Sequence, residues 1–254
     1  MTHVSTRTEV GIDTVPLGVG RMFQRSVVAY VALTGTLLAI GIVGRLVVFD
    51  SAIGDGEADV VGWVADHRIR VLDTAATIGS TLADTWTVIG VLGGATIVLL
   101  AAGHGRWAVL MLVGMGLELS AFLTVSELIG RTRPAAPALH SVPSTPSFPS
   151  GHVAASIVLY GSLTLAARRI SRPGRVPRQV WVVPAVIAVT VGSSRVYEGV
   201  HFPTDAGGGA LLGVGALIGA TFIVRPVDQT SRAERVSTVP TDRPFVPGVP
   251  RGRA

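Results

Sequence analysis

A short segment in the middle of the chain combines a serine, a glycine and a histidine at the predicted start of a helix. These are Ser150, Gly151 and His152, directly after Pro149. A helix N-terminus offers unpaired backbone N–H groups and the positive end of the helix dipole, which together favour a phosphate or sulfate ligand. Ser150 can cap the helix or donate its hydroxyl to the anion, and Gly151 lets the backbone approach closely. His152 can exchange a proton in the same space near neutral pH.

A second segment places a histidine and an aspartate four residues apart, as His201 and Asp205. If this turn is helical, the carboxylate reaches one imidazole nitrogen and fixes the tautomer of the ring. The other ring nitrogen is then free to act as a nucleophile or a base. Arg133 and Arg195 add two guanidinium groups whose paired donors suit phosphate oxygens.

Together these residues indicate phosphoryl transfer through a phosphohistidine. No cluster of carboxylates suited to Mg²⁺ or Ca²⁺ accompanies them in the sequence. We therefore expect arginine and backbone N–H groups to stabilise the charge of the transferring group. The prediction is an enzyme with no metal and no other cofactor.

The composition indicates that the motifs belong to a membrane protein. The chain has 254 residues, of which 48% are hydrophobic and 15% charged, and its mean hydropathy is +0.55. An average soluble domain has about a quarter of its residues charged. Cysteine and lysine are absent, which excludes disulfides, a catalytic thiol and the lysine chemistry of P-loops and Schiff bases. The net charge of +5 does not indicate nucleic-acid binding, because the arginines do not follow one face.

Six stretches are long and apolar enough to span a membrane, because a bilayer core about 30 Å thick needs roughly 20 residues of helix. They are residues 27–49, 85–102, 107–128, 150–167, 180–194 and 206–224. The sequence therefore predicts an all-α fold, a six-transmembrane-helix bundle within residues 27–225. The polar segments 1–26 and 226–254 are predicted to be disordered cytoplasmic termini.

The distribution of arginine predicts the orientation of the bundle. The arginines on one side are Arg21, Arg25, Arg106, Arg168, Arg169, Arg172, Arg175, Arg178, Arg225, Arg232 and Arg235. The opposite loops are residues 50–84, which are acidic, 129–149 and 195–205. We therefore expect a multi-pass protein of the cell membrane with both termini cytoplasmic and the active site at the extracytoplasmic face.

Two further patterns concern packing. Within residues 50–84, apolar side chains recur at helical spacing and predict one amphipathic helix at the membrane interface. Three Gly-x-x-x-Gly pairs predict close contacts between helices. These pairs are Gly90/Gly94, Gly209/Gly213 and Gly215/Gly219.

The motifs resemble the three-part signature of the type 2 phosphatidic acid phosphatase superfamily, over about residues 27–225. The matching segments are Arg-Thr-Arg133-Pro134, Pro-Ser-Gly-His152, and Ser-Arg195 followed by His201 and Asp205. The resemblance implies that His201 is the nucleophile and Asp205 its orienting partner. It implies that His152 is the acid for the leaving group and later helps to activate water. The phosphoryl oxygens would be held by Arg133, Arg195, Ser150 and the Gly151 amide.

One position departs from the signature. The first motif usually opens with lysine seven residues before the arginine that precedes proline, and this chain has Ser126 there. Either Arg131 replaces the missing cation at the substrate, or the site works with one positive charge fewer.

The resemblance implies hydrolysis of a membrane lipid phosphate at the outer leaflet, such as a phosphatidate, a phosphatidylglycerophosphate or a polyprenyl diphosphate. One alternative is a lipid phosphotransferase that passes the phosphoryl group from His201 to an acceptor other than water. Another is a non-catalytic membrane protein that handles lipids. The sequence does not distinguish among the lipids, and it indicates no oligomeric state.

Overall fold

The computed structural model of the chain describes residues 18–171 and 176–225. Regular secondary structure in these ranges is helical throughout, with no strand, which confirms the predicted all-α fold. Several predictions fall outside the described ranges, namely the disordered tail 226–254, residues 1–17 of the N-terminal segment, and Arg172 and Arg175.

The described residues form eight α-helices with two short helical turns of other types. They are α1 (Val19–Gly44), which continues as a π-helical turn over Arg45–Phe49, α2 (Ala52–Asp66), α3 (Arg70–Thr81), α4 (Thr85–Ala101), α5 (Gly105–Ile129), α6 (Gly151–Ile170), a 3₁₀ turn (Arg178–Trp181), α7 (Val182–Tyr197) and α8 (Pro203–Ile223).

Five of these helices are long and apolar enough to cross a membrane alone: α1, α5, α6, α7 and α8, with α1 and α7 each including the adjoining short turn. α4 passes the same test only together with α3, from which it is bent by 41°. Taken together, α3 and α4 would form one broken span. The described residues therefore hold five or six spans, and six is the number that the sequence predicts.

The first helix begins earlier than expected. α1 starts at Val19, so residues 19–26 are helical rather than disordered. The guanidinium of Arg25 donates to the carbonyl oxygens of Phe222 at 3.4 Å and Arg225 at 2.8 Å, where α8 ends. Its charge also lies 5.5 Å from the centre of the Phe222 ring. These contacts hold the start of α1 against the end of α8.

The centre of the bundle is formed by α5, α6 and α8, with α1 beside them. Leu117, Val158 and Ala216 belong to the main apolar cluster that joins these helices. α8 approaches the start of α6 closely because Gly209 has no side chain. A Cβ atom there would collide with the backbone carbonyl of Ser150. Small residues permit such an approach between membrane helices.

The three glycine pairs differ in how closely they pack against other helices. Gly213 contacts α6, while Gly215 and Gly219 contact α1 and α5, so close packing is confirmed for both pairs on α8. It is wrong for Gly90 and Gly94, where an added Cβ would meet no atom within 4 Å. α4 has no buried residue and lies at the edge of the bundle.

Residues 50–84 form two helices instead of one, because the chain breaks between α2 and α3. Arg68, at the break, donates to the backbone carbonyl of Tyr197 at 2.9 Å and of Pro137 at 2.7 Å. The Tyr197 hydroxyl donates in turn to Asp73 of α3 at 2.8 Å. These contacts hold α3 along α7, and α2 then reaches the beginning of α8 through Glu57.

One end of the bundle positions the motif residues. It gathers the C-terminal ends of α5 and α7 and the N-terminal ends of α6 and α8. The segment between α5 and α6 crosses this end and is fixed by three backbone hydrogen bonds. They run from Ser147 to Arg131 at 2.8 Å, from Leu139 to Glu198 at 2.9 Å, and from Ser150 to Asp205 at 2.9 Å.

Candidate active site

Asp205 lies in the first turn of α8 and His201 directly precedes the N-cap residue Phe202, and both His201 and Asp205 are buried. Nδ1 of His201 is 3.6 Å from Oδ2 of Asp205. The backbone N–H of Phe202, the N-cap residue, donates to the same oxygen at 2.8 Å and closes the turn. The capping turn therefore directs the carboxylate towards Nδ1, as the four-residue spacing suggested, but His201 lies outside the helix and the 3.6 Å separation is longer than a hydrogen bond.

The other ring nitrogen of His201 faces a cation. Nε2 lies 3.4 Å from Nη1 of Arg133, which can donate a hydrogen bond but cannot accept one. Nε2 is therefore assigned the lone pair, and the proton of the neutral ring is assigned to Nδ1 beside Asp205. This tautomer is the one that a nucleophilic Nε2 requires.

Arg133 is held by the backbone around it. Its Nε donates to the carbonyl of Thr145 at 2.9 Å, and its Nη1 donates to the carbonyl of Val200 at 2.6 Å. Its Nη2 makes only long contacts, with Thr145 Oγ1 at 3.3 Å and the Pro146 carbonyl at 3.4 Å. The short bonds fix the guanidinium plane, and the long contacts are the ones that an anion would replace.

Arg195 lies in the last turn of α7 and is only partly engaged. Its Nη1 donates to Oε2 of Glu198 at 2.8 Å, and both residues are buried. Nε of Arg195 and Oε1 of Glu198 have no hydrogen-bond partner. Arg195 thus keeps donor capacity after its ion pair has formed.

The Ser-Gly-His segment begins α6 as predicted. Ser150 occupies the N-cap position, but its hydroxyl does not cap the helix and has no partner, although the residue is fully buried. The hydroxyl therefore does not act as a helix cap, and it remains available to donate to an anion. Gly151 packs against the ring of Phe122, and His152 follows it in the first turn of α6.

Unsatisfied polar atoms are concentrated at this site. Of the eight buried side-chain nitrogen and oxygen atoms without a partner in the described part of the chain, four belong to Ser150, Arg195, Glu198 and His201. Buried polar groups normally have a partner, because leaving one unpaired is costly. Arg195 Nε is a donor and the Ser150 hydroxyl can donate, so an acceptor such as a phosphate oxygen would satisfy both, whereas Glu198 Oε1 is an acceptor and needs a donor.

A cavity of about 940 Å³ is lined by Arg195 and by Gly151, the residue after Ser150. Its polar end is lined by Arg133, Arg195, His152 and Thr145. Apolar side chains of α4 and α5 also line it, including Val88, Ile89, Leu92, Leu112, Met115 and Leu119, together with the acids Asp84 and Glu118 and several hydroxyl side chains. One cavity therefore joins a region with two arginines to a largely apolar channel, which suits an amphiphilic ligand.

Burial and charge set the protonation of the two groups that meet at Nε2. Burial lowers the pKa of His201, and the nearby Arg133 and Arg195 lower it further, against the opposing effect of Asp205. Burial and the charge of Arg195 lower the pKa of Arg133 to about 10. At neutral pH the imidazole is therefore neutral and the guanidinium charged.

The geometry speaks against the predicted role of Arg131 at the substrate. Its Nη1 donates to Asp205 at 2.6 Å and to Thr204 at 2.7 Å, and its Nη2 donates to Glu57 at 3.0 Å. Arg131 is buried and does not line the cavity. Ser126 is also buried, and its hydroxyl donates within α5 to the Leu123 carbonyl. Neither residue brings a cation to the cavity.

Three buried residues of the site were not predicted. Ser147 donates its hydroxyl to Oδ2 of Asp205, Glu57 caps the start of α8, and Glu198 pairs with Arg195. The three-residue spacing from Arg195 to Glu198 on a predicted helix end was a usable signal. Glu57 and Ser147 gave none, since their partners lie 147 and 58 residues away.

Known proteins resemble the chain in sequence. The profile of the PAP2 superfamily matches residues 107–227. Phosphatidylglycerophosphatase B of Bacillus subtilis is 37% identical over 125 residues, which are 46% of this chain and 61% of that protein. Decaprenylphosphoryl-5-phosphoribose phosphatase of Mycobacterium tuberculosis is 31% identical over 140 residues, which are 52% of this chain and 69% of that protein.

The fold is shared with a solved structure, that of a transmembrane PAP2 type phosphatidylglycerolphosphate phosphatase from Bacillus subtilis. The TM-score is 0.59 at 24% sequence identity, and the match covers 82% of this chain and 98% of that one. The segment matched by the superfamily profile contains every motif residue that the sequence analysis assigned to the site. This chain is a member of the PAP2 superfamily.

Proposed function

We propose that this protein hydrolyses the phosphate or diphosphate of a membrane lipid through a phosphohistidine formed at Nε2 of His201. The observation that carries the proposal is the contrast between the two ring nitrogens. Nδ1 faces a buried carboxylate at 3.6 Å, whereas Nε2 faces the guanidinium of Arg133, a residue that lines the cavity. A neutral imidazole with its lone pair beside a fixed cation is placed to attack a phosphorus atom bound there.

The phosphoryl oxygens would be held by donors that the protein itself leaves unused. Arg195 Nε and Ser150 Oγ have no partner, and Nη2 of Arg133 makes only long contacts. The N–H of Gly151, at the start of a helix of 20 residues, adds a backbone donor and the positive end of the helix dipole. These groups would stabilise the developing charge without a metal ion.

The reaction has two steps. In the first, Nε2 of His201 bonds to phosphorus, the bond from phosphorus to the lipid oxygen breaks, and His152 gives that oxygen a proton. In the second, water attacks phosphorus and gives a proton to the now neutral His152. The bond between phosphorus and Nε2 breaks, inorganic phosphate leaves, and His201 regains its lone pair. Asp205 supports the Nδ1–H tautomer in both steps.

The cavity supports a lipid as substrate. Its polar end holds His152 and two arginines, and its apolar lining comes from α4 and α5. An alkyl or prenyl chain bound along these helices would place its phosphate at the polar end. The two sequence relatives are named for lipid-linked phosphates, phosphatidylglycerophosphate in one and decaprenylphosphoryl phosphoribose in the other.

The position of the arginines supports an extracytoplasmic site. α6 has the Ser-Gly-His segment at its start and Arg168 and Arg169 in its last turn. A helix of 20 residues is about 30 Å long, so these features lie on opposite sides of a bilayer. Positive residues favour the cytoplasmic side. We therefore propose a cell-membrane protein with both termini cytoplasmic and the cavity opening towards the outer leaflet.

The test is phosphate release by the purified protein in liposomes with excess chelator. The panel contains phosphatidate, phosphatidylglycerophosphate, a polyprenyl phosphate and a polyprenyl diphosphate. His201→Ala should abolish release, whereas the control His67→Ala should not, because His67 contacts only Trp63 of its own helix at the protein surface. Enzyme quenched during turnover of ³²P-labelled substrate should carry acid-labile label that the His201 variant lacks.

Each other outcome corresponds to a different function. Release that needs an added alcohol would indicate a phosphotransferase rather than a hydrolase. Release that stops with chelator would overturn the metal-free mechanism. A folded protein that releases nothing from any lipid, and whose biological role survives His201→Ala, would be a non-catalytic member of the superfamily.

A further inference from the structure

Building on the proposed function, we propose that Glu57 and Arg131 are positioning residues, which fix the carboxylate of Asp205 and through it the orientation of His201. Asp205 has no solvent exposure, and Arg131 is 7% exposed. Nη1 of Arg131 lies 2.6 Å from Oδ1 of Asp205, the oxygen that His201 does not face. The guanidinium thus holds one carboxylate oxygen while the other remains directed at the imidazole.

The guanidinium of Arg131 is also fixed in its plane. Its central carbon lies 3.8 Å from the ring centre of Phe49 and 4.2 Å from that of Phe202. Phe202 directly follows His201, so one of these rings belongs to the turn that carries the nucleophile. Arginine combines stacking between rings with a forked set of donors, and lysine cannot supply either geometry.

Glu57 completes the arrangement from a distant part of the chain. Its Oε1 accepts the backbone N–H of Thr204 at 2.7 Å, and its Oε2 accepts the Thr204 hydroxyl at 2.8 Å and Nη2 of Arg131 at 3.0 Å. The carboxylate therefore caps the first turn of α8, where the helix dipole favours a negative charge. Through Glu57, the surface helix α2 contacts the turn that bears His201.

The local charges agree with a positioning role rather than phosphate binding. Arg131 contacts two carboxylates, and both of its terminal nitrogens already donate to protein groups. A phosphate would have to displace a buried carboxylate to reach it, which is costly. The phosphate donors are instead Arg133 and Arg195, on the cavity side of His201.

The first test is a double-mutant cycle on kcat for phosphatidate, or for the panel lipid that the wild-type protein hydrolyses fastest. We expect Arg131→Met to lower kcat on the order of 100-fold, the cost of a misplaced catalytic group, with little change in KM. Glu57→Gln keeps the size of the side chain but replaces one acceptor oxygen by an NH2 donor, so the bond from the Thr204 N–H or the bonds to Oε2 are lost. It should lower kcat about tenfold. When Asp205 is already replaced by Asn, either change should lower kcat further by less than about threefold. The effects of residues that act as a unit are not additive.

The matched control is Arg68→Met, which removes a partly buried arginine that also stacks on an aromatic ring and donates to backbone carbonyls at this end of the bundle. It should lower the thermal unfolding midpoint and leave kcat within about twofold, since Arg68 touches neither Asp205 nor His201. If Arg131→Met does not fold, the double-mutant cycle is measured with Arg131→Lys and Glu57→Gln instead. An unchanged kcat with a raised KM, or full additivity with Asp205→Asn, would overturn the proposal.

A second measurement does not depend on turnover, so it separates this proposal from the proposed function. In protein labelled with ¹⁵N-histidine, the His201 resonances should report the Nδ1–H tautomer in the wild type and in Arg68→Met. Arg131→Met and Glu57→Gln should mix the tautomers. If no lipid is hydrolysed yet the tautomers respond in this way, the positioning role stands and the proposed function falls. If the tautomer is unchanged in both variants, the positioning role falls.

Discussion

The two sides of the His201 ring differ in how completely the protein satisfies them. On the Nδ1 side, Asp205 accepts hydrogen bonds from Arg131, Ser147 and the Phe202 backbone. On the Nε2 side, Arg133 offers long contacts, and Arg195 and Ser150 keep donors without partners. Folding therefore satisfies the carboxylate of Asp205, although Nδ1 of His201 lies 3.6 Å from it and makes no hydrogen bond of its own. On the second side, donors remain for a ligand.

Because of this difference, substitutions on the two sides should affect folding stability and enzyme activity to different extents. Removing a donor from the Nδ1 side leaves a buried carboxylate short of a partner, which costs folding free energy as well as rate. On the Nε2 side, removing the Ser150 hydroxyl takes no hydrogen bond from the protein alone, so its cost appears when the anion binds. Substitutions on the two sides should therefore have different signatures, even where the residue type is the same.

The largest effect on rate is expected from His152→Ala, at the cavity that the Nε2 side of His201 faces. Loss of a general acid should slow phosphoenzyme formation from a lipid phosphate about 10²- to 10⁴-fold, because the departing alkoxide then leaves without a proton. An aryl phosphate needs no such proton, since its phenolate is a stable leaving group. Burst measurements with p-nitrophenyl phosphate should therefore show a much smaller loss. An equal loss with both substrates would remove His152 from the role of acid.

The second effect concerns the pH dependence of kcat/KM. His201 reacts as the neutral ring, so activity is lost as pH falls through its pKa, which burial and the neighbouring arginines lower. The acid limb should therefore lie below the ordinary histidine value of about 6.5. Arg133→Gln removes one of the cations that lower this pKa, so the limb should move to higher pH.

All variants are measured with the same substrate, so ionisation of the substrate affects every pH profile equally and does not contribute to the difference between them. Arg45→Gln is the control, because Arg45 donates to the Ile129 carbonyl at 3.0 Å and does not line the cavity. Its acid limb should match that of the wild type. A limb that does not move in Arg133→Gln would mean that a group other than His201 governs it.

Local sequence predicted contacts between neighbouring residues better than contacts between distant segments. The proximity of His201 and Asp205 and the Ser-Gly-His segment at a helix start each involve residues within about one turn of the chain. Hydrophobic composition likewise predicted the membrane helices. Such features follow from periodicity and helix-end chemistry, which are properties of neighbouring residues.

The hydrogen bonds around Asp205 and Arg131, on the Nδ1 side of His201, join residues that are far apart in the sequence, so no local pattern contains them. Glu57 is 147 residues from Thr204, and in the sequence it is one acid among several in residues 50–84. The break between α2 and α3 brings it back to α8, and the sequence predicted one continuous helix there. Arg131 was considered as a replacement for the cation missing at Ser126, whereas in the structure it stacks between two aromatic rings and donates to Asp205.

The smallest and sharpest comparison uses two serines three residues apart on opposite sides of the ring. Ser147→Ala deprives buried Asp205 of a donor and should cost about 1–3 kcal/mol of folding free energy together with some rate. Ser150→Ala should leave the thermal unfolding midpoint unchanged, because its hydroxyl has no partner and does not cap α6. Its rate should fall about tenfold, the value of one hydrogen bond to a charged oxygen.

Inhibition by inorganic phosphate then separates binding from positioning for the same pair. Ser150→Ala should weaken inhibition by about the factor it takes from the rate, since the hydroxyl would contact the bound anion directly. Ser147→Ala should leave the inhibition constant nearly unchanged, because it acts on the far side of the imidazole. If both variants weaken phosphate binding equally, or if Ser150→Ala lowers the unfolding midpoint as Ser147→Ala does, the two sides of His201 are not distinct in the way that the buried donors suggest.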